Sequence, residues 1–483
     1  MISDSLLHEL KFKLTMSKDN LLTSIIDYCQ LNKMAESTFG RKSVNDGKFV
    51  SRLRTGARVT PETWSKVCNF INKNGGKTNL TMDPQSLHVL PEEKDHKVSL
   101  KHEKIEESKS KKKNFRFFDN RQKYLLFVST CSEKEVISNR IGKELGHVRP
   151  RPPALRVFDA GMGDGTVLAG VMREMHHRFP TMPFYISGKE ISLEDVRICL
   201  SKMSDRLFEH PASVLVFTNL FYSEAPWLKP KSMISSSAMV WKEVALQGSS
   251  SHEFSEQLGG LRDFLDENWQ AGHSPKTGNP IYERPTVLVI YREDHKFLLN
   301  NVIPKQDIKK ADFDLVIASQ PYRLRVSSQT KSRNVLLPLV NSLGNGGRLI
   351  GIHSSGEDPG HEIIKKIWPN DNPFISDRHS ILKALKTELG SDRRYFNIKS
   401  NSDIRSIFKY HMHSLPSELE ASIGTSTLFA AWNAATYVGQ IDEQRLEEAM
   451  RSVDYLETTQ EILKKFGGLW FNDESYTISR RNF

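Results

Sequence analysis

The stretch VFDAGMGDGTVLAG, residues 157–170, runs from aliphatic residues into an acid and three glycines spaced two apart, Gly161, Gly163 and Gly165. Such glycines let a backbone turn sharply and approach a ligand that any Cβ would obstruct. A dinucleotide site needs G-x-G-x-x-G, but the position for its third glycine is Thr166. Asp164 inside the loop would also repel a pyrophosphate, which seeks bare N–H groups at a helix start. A zwitterionic or cationic ligand meets no such repulsion. The second half of a nucleoside site is an acid able to accept from two ribose hydroxyls. PFYISGKE ends in such an acid, Glu190, and SVLVFTN ends in Asn219, whose amide offers a donor and an acceptor to an adenine edge. A further aliphatic run, FDLVIASQPYR, ends in Ser319, Gln320, Pro321 and Tyr322.

These groups need a scaffold that gathers strand ends. Six strand-like runs follow Arg121: LRVFDAG, PFYISGKE, SVLVFTN, TVLVIY, FDLVIAS and GRLIGIH. Helix-like connectors fall at 166–178, 191–208 and 332–344. This alternation predicts parallel strands with crossover helices in an open α/β sheet, where ligands sit at the carboxyl ends of the strands. The glycine loop follows the first strand, the position expected to meet the ligand.

With these residues the chain resembles the class I S-adenosylmethionine-dependent methyltransferases, whose first motif D-x-G-x-G-x-G is matched by Asp159, Gly161, Gly163 and Gly165. The resemblance spans about residues 150–355 and implies an open Rossmann-like methyltransferase sheet with S-adenosylmethionine as cofactor. It implies that the loop faces the methionine moiety, that Glu190 holds the ribose, and that Asn219 with Leu220 lies by the adenine. Many members carry Asp at the adenine position, so Asn219 is a departure.

Methyl transfer from a sulfonium is an in-line displacement, so the protein's main task is to hold a nucleophile behind the methyl carbon. Ser319-Gln-Pro-Tyr322 resembles the [DNS]-P-P-[YFW] motif of methyltransferases acting on amino nitrogens, with Gln320 in place of the first proline. By that resemblance Ser319, Pro321 and Tyr322 are the candidate catalytic residues: Ser319 orients the amine and Tyr322 stacks on the group carrying it. A strand merely terminated by Pro321, with Tyr322 packed as core, is the competing interpretation. Arg323 and Arg325 could meet an anionic substrate. The acceptor stays open between an amino nitrogen of nucleic acid and other classes.

Residues 222–312 form a long insertion with an extra strand, PTVLVIYRED, and a helical SEQLGGLRDFLDENW; insertions of this kind form substrate lids or oligomer surfaces. His353, His361, His379, His411 and His413 lack metal-ligand spacing and are expected at the surface or in the core, with His353 retained as a pocket candidate. TLFAAWNAATYVGQ is expected to be a late strand, followed by one amphipathic helix, IDEQRLEEAMRSVDYLETTQEILKKFGG. The aromatic LWFNDESYTISRRNF is expected to pack, or else to cap the pocket.

Residues 76–118 are polar and lysine-rich, a composition that cannot bury enough surface to offset the entropy of ordering, and predict a flexible basic linker. It separates a small all-α domain, 1–75, from a methyltransferase-like domain, 119–483. In the first, LLTSIIDYCQL puts Leu21, Ile25, Tyr28 and Cys29 on one face, and helices are expected at 36–43, 46–55 and after Thr60-Pro61. The pair joined at Val44-Asn45 resembles the helix-turn-helix of phage-repressor-type DNA-binding domains, in which the second helix enters the major groove. By that resemblance Asn45 or Asp46 caps it, Lys48, Ser51, Arg52 and Arg54 face DNA, and Arg58 reaches a phosphate. A DNA-binding regulator with a ligand-sensing or catalytically idle methyltransferase-like domain is therefore the alternative to an enzyme.

The 483 residues exceed one ordinary core, and 38% hydrophobic with 26% charged residues excludes wholesale disorder. The formal charge of +10 favours an anionic partner. Four scattered cysteines, Cys29, Cys68, Cys131 and Cys199, argue against a disulfide framework or a zinc site. Apolar runs are strand-length and MISDSLLHELKFKL lacks signal-peptide features, so a cytoplasmic protein without membrane or metal is expected, of undetermined oligomeric state.

Overall fold

The computed structural model describes residues 121–274, 278–306, 311–414, 423–452 and 454–482, together with part of 21–71. The chain divides into two compact units, 1–108 and 109–483. The expected linker at 76–118, and Arg58, Thr60, Pro61 and Cys68, lie outside the described residues.

In the first unit a helix spans Glu36–Val44 and a second Phe49–Arg54. Asn45, at φ 56°, ends the first helix by donating its N–H to Arg41 O, and Asp46 N–H donates to Gly40 O. Gly40 permits the return of the chain, because a Cβ there would stand 2.3 Å from Asp46 O. The second helix starts at Phe49, three residues later than its sequence predicts, because Asp46 Oδ1 accepts from Lys48 N–H at 2.9 Å and holds 46–48 as a turn. Phe39, Phe49, Val50 and Leu53 close a core with Leu21, Ile25, Tyr28, Cys29, Val67 and Ile71.

The second unit is an open, mostly parallel α/β sheet. Its strands are β1 Leu155–Asp159, β2 Phe184–Lys189, β3 Ser213–Thr218, β4 Val240–Leu246, β5 Ala271–His273, β6 Pro280–Tyr282, β7 Thr286–Arg292, β8 Phe313–Ser319, β9 Leu343–Ser354, β10 Phe396–Lys399, β11 Ile407–His411 and β12 Trp470–Arg480. The order is β10-β12-β9-β8-β1-β2-β3-β7-β4, with β11 beside β12 and β5-β6 a separate hairpin. β9, β8, β1, β2 and β3 run parallel; β12 and β7 pair antiparallel at the two flanks.

Successive strand side chains point to opposite faces, and the central strands carry aliphatic residues on both. Val157, Ile186, Leu215 and Ile317 pack under the helices Glu133–Leu145, Thr166–Arg178 and Leu193–Glu209. Phe158, Tyr185, Val216 and Val316 pack on the other face with Leu336, Leu339, Ile381 and Leu385.

All six expected strands are present. The insertion supplies β4 to β7, so it widens the sheet beyond β3 as well as covering it. An expectation is overturned at the C-terminal apolar run: TLFAAWNAATYVGQ forms the helix Thr425–Val438, not a strand. Its alanines favour helix, and Leu428, Ala431, Trp432, Ala435 and Val438 are buried among neighbouring helices, so an apolar run looks strand-like without being one. The strand that the sheet receives is the aromatic final segment, β12, which binds β9, β10 and β11. The single amphipathic helix is two, Glu443–Ser452 and Tyr455–Phe466, the second capped by Asp454, which accepts from Glu457 N–H at 2.9 Å.

Candidate functional site

β1 is followed in the chain by β2 on one side and, much later, joined by β8 on the other, so the strand order reverses at β1. That reversal opens a crevice at the carboxyl ends of the strands. A cavity of about 660 Å³ lies there. Its walls include Gly161 and Gly163 after β1, Lys189 and Glu190 at the end of β2, and Ser319 to Tyr322 at the end of β8.

The three glycines have different jobs. Gly163, at φ 52°, holds a left-handed backbone that places its N–H on Glu190 Oε2 at 3.0 Å. Gly161 leaves the cavity side open; the nearest atom to a Cβ there would be Tyr222 Oη at 4.0 Å. Gly165 does not line the cavity. It has φ 75°, and a Cβ on it would stand 2.5 Å from Cys199 Sγ, so it lets the helix it starts pack against Leu193–Glu209. Asp159 is also behind the wall: buried, it accepts from Gly161 N–H at 3.4 Å, and burial pushes its carboxyl up to about 7.

Asp164 turns away from the cavity. Lys202 Nζ stands 2.8 Å from its Oδ2 and Thr166 Oγ1 donates to the same oxygen at 2.7 Å. Burial opposes ionisation, but these partners outweigh it and hold the carboxyl below its ordinary value. The loop's acid is thus neutralised within the protein.

Glu190 Oε1 accepts from the N–H groups of Ile191 at 2.7 Å and Ser192 at 2.9 Å, while Oε2 takes Gly163. The carboxylate is fixed by three backbone donors, its Oε2 keeps a second acceptor position, and the residue lines the cavity. Burial raises its pKa despite Lys189 and these donors.

Asn219 is placed differently from the expected adenine contact. Its Oδ1 accepts from Thr286 N–H at 2.8 Å and its Nδ2 donates to Arg284 O at 2.8 Å; it is 1% exposed. Because β7 pairs antiparallel with β3 and starts beside its end, the amide is consumed in fastening the two strands. Leu220 is fully buried, and neither residue lines the cavity. That wall is built by Phe221, Tyr222 and Ser223 and by Ser274, Asn279, Pro280 and Ile281 of the insertion. Trp269, also from the insertion, donates its indole N–H to Glu190 O at 3.0 Å.

Across the cavity, Gln320 has φ 48°, a strained value for a residue with a side chain. Its Nε2 donates to Ser354 Oγ at 3.1 Å and lies 3.3 Å from both oxygens of Asp473. Tyr222 Oη donates to Pro321 O at 2.8 Å. Tyr322 Oη lies 3.1 Å from His353 Nδ1 and 3.1 Å from Tyr476 Oη, and burial keeps its phenol well above the ordinary range. His353 Nε2 is 2.9 Å from Glu474 Oε1, and Arg378 Nη1 donates to Glu474 Oε2 at 2.7 Å. Burial works against Glu474 ionising, but His353 and Arg378 pull it down to about 2. His353 therefore buttresses Tyr322 from behind the cavity. Arg325 is spent on Asp371 at 2.5 and 2.9 Å.

Several cavity residues carry no sequence signal of their own: Tyr124, Tyr222, the Glu133–Lys134 pair at 2.9 Å, and Lys331. Lys189, beside Glu190 in sequence, lines the cavity as well. Among the described residues no group of His, Cys, Asp and Glu is arranged to hold a metal, and no helix is long and apolar enough to cross a membrane.

In the first unit, Lys48, Ser51, Arg52 and Arg54 are all exposed, opposite buried Phe49, Val50 and Leu53. Arg52 pairs with Asp46, and Arg54 Nη2 lies 2.7 Å from Glu36 Oε1.

No protein-family profile and no curated protein matches the chain. Solved structures that align with it include a geranyl diphosphate methyltransferase in complex with GPP and sinefungin (11% identity, 72% of this chain and 77% of that one, TM-score 0.26). Others are PKMT2 from Rickettsia typhi in complex with AdoHcy (12%, 72% and 53%, 0.25) and the plantazolicin methyltransferase BpumL in complex with SAH (10%, 75% and 91%, 0.26). At these scores the likeness carries no weight for function, which rests on the geometry above.

Proposed function

We propose that the protein is an S-adenosylmethionine-dependent methyltransferase. The observation that carries this reading is the 3.0 Å bond from Gly163 N–H to Glu190 Oε2 on the wall of a cavity that also reaches Ser319–Tyr322. Side-chain-free backbone and a fixed carboxylate suit the methionine and ribose parts of a sulfonium nucleoside. The turn after β8 then supplies the acceptor side.

In this reading Gly161, Gly163 and Glu190 contact the cofactor, while Asp159 and Gly165 shape the loop from behind. Ser319 accepts from the nucleophile's N–H, Pro321 holds the turn, and Tyr322 offers its ring to a planar amine-bearing group, its hydroxyl anchored on His353 and Tyr476. When bound, the cofactor supplies the electrophilic methyl; the chain's residues orient the acceptor and exclude water. An amino nitrogen of nucleic acid fits both this turn and the chain's positive charge. The exposed Lys48, Ser51, Arg52 and Arg54 support a DNA-binding role for the first unit.

Calorimetric titration with S-adenosylmethionine tests the cofactor site: saturable binding by the wild type that Gly163→Arg abolishes is expected, and equal binding by both refutes it. Methyl-labelled cofactor offered with separate DNA, RNA, protein and small-molecule pools identifies the acceptor. For the first unit, full-length protein carrying Lys48→Glu and Arg52→Glu should lose several-fold affinity for a mixed-sequence duplex at low salt; unchanged affinity removes that role.

A further inference from the structure

Resting on the cofactor assignment above, we infer that the methyl acceptor carries an oxyanion, a phosphate or a carboxylate, and that Lys331 receives it inside the cavity.

Lys331 ends the short helix Ser328–Lys331, just before a π-helical turn, Ser332–Leu336. Turns of that kind recur at functional sites. The side chain is 1% exposed and lines the cavity with Thr330 and Asn334. Lysine is almost never buried to this degree unless it is paired. Its Nζ donates to Leu324 O at 2.9 Å and stands 5.1 Å from the centre of the Tyr322 ring, so one of three donors is placed and the ring face compensates part of the charge.

Among the described residues Lys331 has no ion-pair partner. The carboxylate whose field it feels, Glu474, is already held by His353 and Arg378. The acids that do line the cavity are engaged too: Glu133 with Lys134, Asp195 with Arg121, and Glu190 with three backbone amides. Burial brings the ammonium down to about 8, so near neutrality most of it is a cation without a counter-ion. A ligand oxyanion would supply that counter-ion, whereas a cationic acceptor would be repelled.

The approach has the same sign. An open groove of about 800 Å³ is lined by Lys229, Lys231 and Arg333, with Trp227 and Pro338 as its apolar faces. Ser223 and Asn334 line both the groove and the cavity, so the two are neighbours. Among the described residues Lys229 and Lys231 make no ion pair, while Arg333 pairs with Glu388. Cations along a concave route raise the local concentration of an anion.

Calorimetry on the full-length protein, saturated with S-adenosylhomocysteine, tests this with inorganic phosphate and acetate as probes. Wild-type protein is expected to bind at least one of them, and the stronger identifies the oxyanion. Lys331→Met should lose at least tenfold in that affinity, and Lys331→Arg should stay within about threefold. Wild-type affinity for acetate, whose own charge is constant over this range, should fall as pH rises from 7 to 9 and the amine loses its proton. Binding of neither anion, or equal binding by wild type and Lys331→Met, overturns the inference. Should Lys331→Met not fold, the Lys331→Arg protein and the wild-type pH profile decide: a flat profile overturns it. Failure of S-adenosylhomocysteine to bind instead overturns the cofactor reading, and the anion titrations are read equally without it.

Discussion

The amide of Gly163 and the carboxylate of Glu190 meet at 3.0 Å, joining the loop after the first strand to the end of the second. The bond needs both partners: a left-handed backbone at Gly163, and a carboxylate whose other oxygen is pinned by Ile191 and Ser192. Glu190→Gln keeps the shape but replaces one acceptor by a donor facing an N–H. Hydrogen bonds to a charged group contribute about 1.5–3 kcal/mol. Titration with S-adenosylmethionine should therefore show roughly a tenfold to hundredfold loss of affinity, with stability falling by about 1–3 kcal/mol as one backbone N–H loses its acceptor. An affinity equal to wild type would sever Glu190 from the cofactor.

Gly165 makes the opposite prediction. Its φ of 75° and the 2.5 Å approach of Cys199 Sγ to a Cβ give Gly165→Ala both backbone strain and a clash. Strain and overpacking each cost about 1–3 kcal/mol. Chemical denaturation should show a loss of about 2–6 kcal/mol, the two costs together, while folded protein retains cofactor affinity. Gly161→Ala, with open space at its Cβ, should leave stability unchanged.

Two buried acids should respond to pH with opposite signs. Glu474 has a folded pKa of about 2, below its unfolded value, so its contribution is present above about pH 4.5 and is lost as pH falls toward 2. That difference corresponds to a contribution on the order of 3 kcal/mol. Melting curves of wild type and Glu474→Gln should differ most near neutrality and converge in acid. Asp159, pushed up to about 7, favours the folded state when protonated, and that contribution is lost as pH rises from about 4 through 7. Asp159→Asn should therefore gain stability relative to wild type between pH 5 and pH 8. Parallel pH profiles for variant and wild type would contradict either assignment.

The parts of this site legible in the sequence are those that a local pattern fixes. Aliphatic runs of strand length gave β1, β2, β3, β7, β8 and β9, and the glycine spacing placed Gly161 and Gly163 at the cavity. β4 escaped because its half-exposed VWKEVAL lacks a continuous apolar run. The segment 425–438 was misread because alanine, tryptophan and tyrosine in a buried helix show no polar face. Lys331 escaped for a different reason: nothing beside it in sequence distinguishes a buried lysine from a solvated one, and only the fold brings Leu324 and Tyr322 around it.

Asn219 shows how an insertion can reassign a residue. Were it to hold the adenine edge, Asn219→Ala would weaken binding of S-adenosylhomocysteine and leave the fold intact. The geometry requires the reverse, since Thr286 N–H and Arg284 O both lose their partner at the joint between β3 and β7. A buried polar group left unsatisfied costs about 1–3 kcal/mol. Denaturation of Asn219→Ala should thus show a loss of that size or more, with S-adenosylhomocysteine affinity within about threefold of wild type. A tenfold weaker affinity at unchanged stability would return Asn219 to the adenine and place the joint between the strands elsewhere.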